Sequence, residues 1–576
     1  MQDSRAIHLK RATGLAAVVM LVASLASAGL PQTPAAPAAG AQAKKKPALL
    51  TRAERTNYTE TSRYDDVMAF VKEVAASSPN LHVTTMGYTF EGRAIPLVVI
   101  GAKDATPGAV MATGKTRVYV EANIHAGEVE GKEAVLMLLR ELAAGEHASW
   151  ANSMVLMFGP IFNADGNERV NLTNRGRQNG PIGGMGQRPN GQNYDLNRDF
   201  VKLDSPETRS FADLYNRYDP HVYIDLHTTD GTLHGYEMTY IPALHPITPQ
   251  PILDLSRNEL LPAVTKAIKA NYKWDFYYYG NVPTPPRPGG GGAPGAPGRA
   301  PGAAQAPPPR EVGWYCDDIL YAARYGFNYV GVRNRFTFES ETFAYLPFEE
   351  RIKVSRGFVV EVLNYVEKHG DAIKKAAADA DKASIVGTDQ AVRAKLVRSP
   401  QPVEILMADC VEERNPYTGA LMWRRLDVKK PQTMPVFISY EASETAKAPR
   451  AYIVPGALTR VIDRLQGHGV KMTKVTKPLT LKVEQFRIES ATTSATEYQG
   501  HKERTITGAW EAAEQTIPEG SFIVPMNQPL ARVAFIVLEP RSDDAAAAWN
   551  LMDDVLDKSP IYPVTKTFSE VPIGSQ

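Results

Sequence analysis

Short apolar runs alternate with amphipathic stretches through the first two thirds of the chain. The runs at 97–100, 117–122, 154–157, 222–226 and 329–338 are rich in β-branched and aromatic residues and predict buried strands. Between them, 63–74, 132–142 and 348–378 repeat apolar residues at helical spacing. Strands alternating with helices predict an α/β sheet whose functional residues gather at the carboxyl ends of its strands. From about 385 the texture changes. Strand-like runs at 403–407, 435–440, 452–454 and 470–475, with a helical stretch at 458–466, predict a smaller mixed α/β domain reaching residue 576, with no internal repeat.

Three segments break the pattern. Residues 1–28 place Arg5, Lys10 and Arg11 before the apolar run 15–25 and close on Ala26-Ser27-Ala28, the layout of a secretory signal; the run is short for a bilayer span. Residues 29–50 form a Pro/Ala-rich linker, and 283–310 is an insertion almost wholly of Pro, Gly and Ala, expected to be disordered. The first globular unit is therefore placed at 51–380 and the second domain at 385–576.

Composition narrows the function. A 576-residue chain exceeds one ordinary core. The net charge of +1 becomes −1 once the signal, with three basic residues against Asp3, is removed, so no nucleic-acid partner is indicated. Cys316 and Cys410 are the only cysteines, too few for a disulfide framework. Cleavage of the signal leaves no expected membrane span and a secreted or periplasmic protein.

The chemistry lies at strand ends. His125-Ala-Gly-Glu128 closes one β-branched run and His227 closes another, together two imidazoles and a carboxylate, the ligand set of a catalytic zinc with its fourth position open. After Asn163-Ala-Asp-Gly166, a polar loop holds Arg175 and Arg177 and returns through Asp195-Leu-Asn197-Arg198; arginine suits a carboxylate or a developing oxyanion. Glu339 and Glu341 end a further apolar run, where a carboxylate can take a proton from water and pass it to a leaving amine.

In order and approximate spacing, His125-x-x-Glu128, Asn163-Ala-Asp-Gly166, Asp195-Leu-Asn197-Arg198 and His227 resemble the zinc carboxypeptidases of the carboxypeptidase A type, over roughly 53–375. The resemblance extends to secreted bacterial members with an added C-terminal domain. It implies an α/β/α sandwich around a mixed, mostly parallel sheet, with one zinc ion on His125, Glu128 and His227. It also implies that Asn197 and Arg198 hold the substrate's terminal carboxylate and that a loop arginine, Arg177 rather than Arg175, polarises the scissile carbonyl. Register favours Glu341 over Glu339 as general base. Tyr315 and Tyr321 are candidates for the substrate-capping tyrosine. The expected activity is a metallocarboxypeptidase that hydrolyses the C-terminal peptide bond of peptides or proteins through zinc-activated water. The alternative is a zinc amidase or deacylase of the same fold acting on cell-wall peptides or acylated amino acids; a non-catalytic binding protein is disfavoured because the ligand set and carboxylate reader are both present.

Overall fold

In the computed structural model, which describes residues 49–229, 231–283, 310–416 and 418–572, the apolar runs become strands of one eight-stranded sheet. The signal segment, residues 29–48 of the linker and residues 284–309 of the insertion lie outside the described residues. The strands are β1 (Leu81–Tyr88), β2 (Ala94–Ile100), β3 (Thr116–Ala122), β4 (Met154–Gly159), β5 (Val222–Thr229), β6 (Met238–Pro242), β7 (Phe276–Tyr278) and β8 (Phe336–Phe343). They lie side by side in the order β1-β2-β4-β3-β5-β8-β6-β7. The central neighbours β4, β3, β5 and β8 are parallel, so the ends of β3, β5 and β8 open on one edge.

Alternation along each strand builds two cores. Val118, Val120, Ile224 and Phe338 face helices α1 (Tyr64–Ser77), α2 (Glu130–Ala143) and the 35-residue α5 (Phe348–Lys382). Tyr119, Val155 and Tyr223 face the other way, toward α3 (Pro206–Tyr218) and α4 (Gly326–Val332). The outcome is the α/β/α sandwich with a mixed, mostly parallel sheet. Its second core also takes in Tyr452, Val461, Leu465, Phe535 and Trp549, so the segment after 385 adds its own sheets while sharing hydrophobic packing with the catalytic sheet.

One element departs from expectation. The run 329–338 divides: its first residues lie in α4, and only from Phe336 does the chain extend as β8. Every residue of α4 is buried, Asn328 included, so the helix has no exposed polar face and shows no helical stripe by which to distinguish it from a buried strand. Among the described residues no helix is long and apolar enough to cross a membrane. Cys316 and Cys410 are both free.

Candidate metal centre and substrate pocket

Strand β3 ends at Ala122, and Asn123 then turns the backbone with a φ of 68°, a conformation asparagine tolerates better than most residues. The turn is closed by Glu128 N–H donating to the His125 carbonyl at 2.8 Å, and α2 follows. Gly127 is required inside it: a Cβ there would stand 2.7 Å from the Gly186 carbonyl oxygen and 2.8 Å from Arg175 Cγ. His227 comes from the fully buried β5. This brings His125, Glu128 and His227 together, with their ligating atoms all within 4.8 Å of one another.

The donor set fits a cation. His125 Nε2 lies 2.9 Å from Asp195 Oδ1 and His227 Nε2 lies 2.8 Å from Asp225 Oδ2, so in each ring the Nε2–H is directed to a carboxylate and Nδ1 carries the lone pair. The two Nδ1 atoms are 3.1 Å apart, and each is 3.1 Å from a Glu128 oxygen. Three ligand atoms thus converge, and each ring can offer an Nδ1 lone pair to a metal while its Nε2–H stays on a carboxylate. Ligands held tetrahedrally at the usual zinc distances are about 3.3 Å apart, close to this spacing. Burial opposes ionisation of Glu128, but His125 and Arg175 beside it hold its carboxyl well below the usual range.

Around this point lies a pocket lined by Arg175, Arg188, Asn197, Arg198, Tyr279, Tyr325, Glu339 and Glu341. Asn197 and Arg198 sit in a short 3-10 turn, Leu196–Arg198, capped by the Asp195 side chain, which accepts from Asn197 N–H at 3.0 Å. The Asn197 amide is engaged at both ends: its Nδ2 donates to Glu339 Oε2 at 3.1 Å, and its Oδ1 accepts from Gly326 N–H at 2.8 Å. Arg198 is buried, with its guanidinium 4.0 Å from the centre of the Tyr325 ring and Nη1 donating to the Asn197 carbonyl at 2.7 Å. Among the described residues no carboxylate forms an ion pair with it.

The two candidate bases both face this pocket, because β8 alternates. In register with β5, Glu339 stands opposite Asp225 and Glu341 opposite His227. Glu339 is committed to Asn197 and lies 3.4 Å from His227 Nε2, whereas the buried Oε2 of Glu341 has no hydrogen-bond partner. Burial raises both carboxyls, Glu339 to about 7 and Glu341 well above the ordinary value.

The loop arginines sort differently from expectation. Arg177 is exposed, outside the pocket, and its carbonyl accepts from Trp423 N–H at 3.2 Å. Arg175 and Arg188 line the pocket instead. Arg175 Nη2 lies 2.9 Å from Glu128 Oε1; Arg188 Nε donates to Asp195 at 2.8 Å, with Nη1 3.5 Å from Glu128. Neither tyrosine proposed as the cap reaches the pocket: Tyr315 stacks on Phe437 at 4.2 Å and the Tyr321 hydroxyl donates to Asp543. Arg188 and Asp225 are site residues that the sequence reading does not name, and Asp195 stands in its motif without a role. The signal for Asp225 is spacing: it precedes His227 by two on a strand and so shares its face. Arg188 has no comparable local signal.

Residues 67–284 match the zinc carboxypeptidase family. Carboxypeptidase 2 of Trichophyton tonsurans is 24% identical over 82% of this chain and 81% of its own length, and carboxypeptidase 2 of Trichophyton rubrum is 23% identical over 90% and 89%. The crystal structure of a metallo-carboxypeptidase from Burkholderia cenocepacia aligns over 55% of this chain and 71% of its own at 17% identity, with a TM-score of 0.38. The family match falls on the segment that carries both histidines and Glu128, and that segment folds as a carboxypeptidase-like α/β sheet.

Proposed function

We propose that this chain removes the C-terminal residue of peptides or proteins, with one zinc ion held by His125, Glu128 and His227. The observation that carries the reading is Arg198: a buried guanidinium without a carboxylate partner, in the same pocket as the three converging ligands. Burial opposes that charge, but Tyr325, Asp195 and Glu339 nearby favour it, and a substrate's terminal carboxylate would give the guanidinium the direct pair it lacks.

Zinc at that point would supply Lewis acidity, polarising a carbonyl and lowering the pKa of water. The chain's own groups do the rest. Asp195 and Asp225 fix the orientation and proton of each histidine ring. Glu341, with an oxygen free of partners, takes the proton of the attacking water and delivers it to the leaving amine. Arg188 replaces Arg177 as the arginine for the developing oxyanion. It is preferred to Arg175 because Arg175 Nη2 is held by Glu128 at 2.9 Å and the Thr228 carbonyl at 3.3 Å, whereas Arg188 binds Asp195 through Nε and its Nη1 reaches Glu128 only at 3.5 Å. Residues 1–28 export the protein, as expected of a secreted or periplasmic enzyme of the bacterial branch.

The decisive experiment follows a peptide mixture by mass spectrometry with zinc-loaded protein, with and without a chelator. Single residues should leave from C-termini only, and the chelator should stop their release. Amidating a C-terminus removes a charge-assisted bond of roughly 1.5–3 kcal/mol, so kcat/KM should fall about ten- to a hundredfold. Equal turnover of amidated and free peptides would overturn the reading, and hydrolysis confined to N-acyl amino acids or cell-wall peptides would replace it with the amidase alternative.

A further inference from the structure

Behind the metal ligands lies a buried ion pair that the proposed chemistry does not use. Glu130 opens α2 two residues after Glu128, and Arg351 comes from the first turn of α5. Both are shielded from solvent, with Arg351 Nη1 3.7 Å from Glu130 Oε2. Among the described residues, Glu130 Oε2 and the Nε and Nη2 of Arg351 make no hydrogen bond. Burying two charges is expensive and a pair this loose offsets little of it, so the pair is weak support for the fold. The other oxygen of Glu130 shows what the residue holds. Oε1 accepts from the Thr228 hydroxyl, and Thr228 N–H donates to Glu128 Oε2 at 3.0 Å.

The sheet explains why Thr228 needs such a grip. β3 pairs with β5 only as far as Ala122 opposite Leu226, because at Asn123 the chain leaves the sheet to make the metal turn. On that side the last residues of β5 have no strand beside them. The main-chain groups of Thr228 meet the metal turn and the polar loop instead: its N–H goes to Glu128, and its carbonyl accepts from Arg175 Nη2 at 3.3 Å. Its side chain alternates away from that of His227, onto the face that α2 covers. The helix starts hard against this strand, since a Cβ on Gly131 would stand 2.6 Å from Leu226 Cβ. Glu130 therefore takes hold of β5 at the point where the ladder to β3 has stopped.

Both Glu128 oxygens are thus held from outside the metal point. Oε1 faces Arg175 Nη2 at 2.9 Å and Oε2 faces Thr228 N–H, while each lies 3.1 Å from a histidine Nδ1. We infer that Glu130 is a positioning residue for the metal centre: through the Thr228 hydroxyl it fixes the donor that holds Glu128 Oε2, with Arg351 compensating its buried charge. This rests on the zinc reading and adds to it the residues that aim the carboxylate ligand.

The test uses the full chain, stripped of metal and reloaded with zinc or cobalt(II). Thr228→Val removes the hydroxyl at nearly constant volume, and Glu130→Ala removes its acceptor, so the bond is broken from either side. Each should weaken zinc binding about ten- to a hundredfold in a competition titration, the range for lost support behind a metal ligand, and should change the visible absorption of the cobalt-loaded protein. Thr228→Ser, which keeps the hydroxyl, should restore both. Because the two groups act through one bond, the double variant should bind zinc no more weakly than the weaker single variant. Unchanged zinc affinity and cobalt spectrum in a folded Thr228→Val or Glu130→Ala would overturn the assignment, as would losses that add in the double variant or a Thr228→Ser no better than Thr228→Val. Either single variant is sufficient if the other does not fold. A wild type that binds no zinc would remove the functional reading and this assignment with it, whereas equal zinc affinity in the wild type and Thr228→Val would remove the assignment alone.

Discussion

Glu339 and Glu341 stand two residues apart on one strand, and their neighbours separate them where their spacing does not. Glu339 holds the Asn197 amide and approaches His227, while Glu341 presents an oxygen without a partner beside the metal ligands. Glu341→Gln should therefore keep the metal and the substrate affinity while kcat falls by at least about 10²–10⁴-fold. Glu339→Gln should act through Asn197 and His227, moving KM and zinc affinity more than kcat. Metal analysis and steady-state kinetics on the two variants decide it; an active Glu341→Gln beside a dead Glu339→Gln would reverse the roles. The three ligands were legible in the sequence because each lies at or just past the end of an apolar run, where a local pattern fixes direction. Arg188 and Arg177 were not distinguishable, because their positions depend on the path of a polar loop whose turns leave no periodic trace.

Elements far along the chain reach this site. The strands Leu479–Thr493 and Arg504–Ile517 form a long hairpin, and its tip places Gln499 Oε1 as acceptor for Asp195 N–H at 2.7 Å. Asp195 in turn orients His125 and binds Arg188, so a residue of the C-terminal half stands two contacts from the metal point. The Gln499 carbonyl also accepts from Lys202 Nζ at 3.4 Å, and His501 pairs with Asp204 at 2.6 Å. Gln499→Ala should loosen Asp195 and weaken zinc binding about ten- to a hundredfold, as expected when a supporting contact behind a ligand is lost. Its unfolding midpoint should stay near that of the wild type, and unchanged zinc affinity in a competition titration would refute the link. This hairpin escaped the sequence reading because most of it is half-buried or exposed on both faces, which leaves no clean period-two pattern. The central strands, by contrast, are apolar runs buried on both sides and stand out at once.

At the scale of the whole molecule, the segment after 385 is tied to the catalytic sheet by polar as well as apolar contacts. Arg324 Nε donates to Asp544 Oδ1 at 2.8 Å, and the helix Thr459–His468 delivers His468 into the protein interior. There His468 Nε2–H donates to the Val201 carbonyl at 3.1 Å, and Nδ1 meets the Tyr329 hydroxyl at 2.9 Å while Arg333 donates to that hydroxyl at 3.0 Å. Burial, with Arg333 nearby, depresses the His468 pKa to about 3. The sign follows from linkage. Between the unfolded value near 6.5 and about 3 the unfolded chain binds a proton that the folded chain does not, so the stabilisation from this group is present above pH 6.5 and is lost as pH falls. Each pH unit in that window costs about 1.4 kcal/mol. His221, His234 and His245 are depressed in the same direction, whereas buried Glu207, raised to about 7, contributes oppositely between about 4.5 and 7. The net acid slope thus mixes signs, and a difference isolates His468. With a chelator present to remove metal linkage, denaturant titrations of wild type and His468→Gln at pH 7 and pH 5 should differ in their pH dependence. The wild type should lose about 2 kcal/mol more than the variant over that interval. An identical loss in both would mean that His468 takes up its proton without disturbing the seam between the two halves.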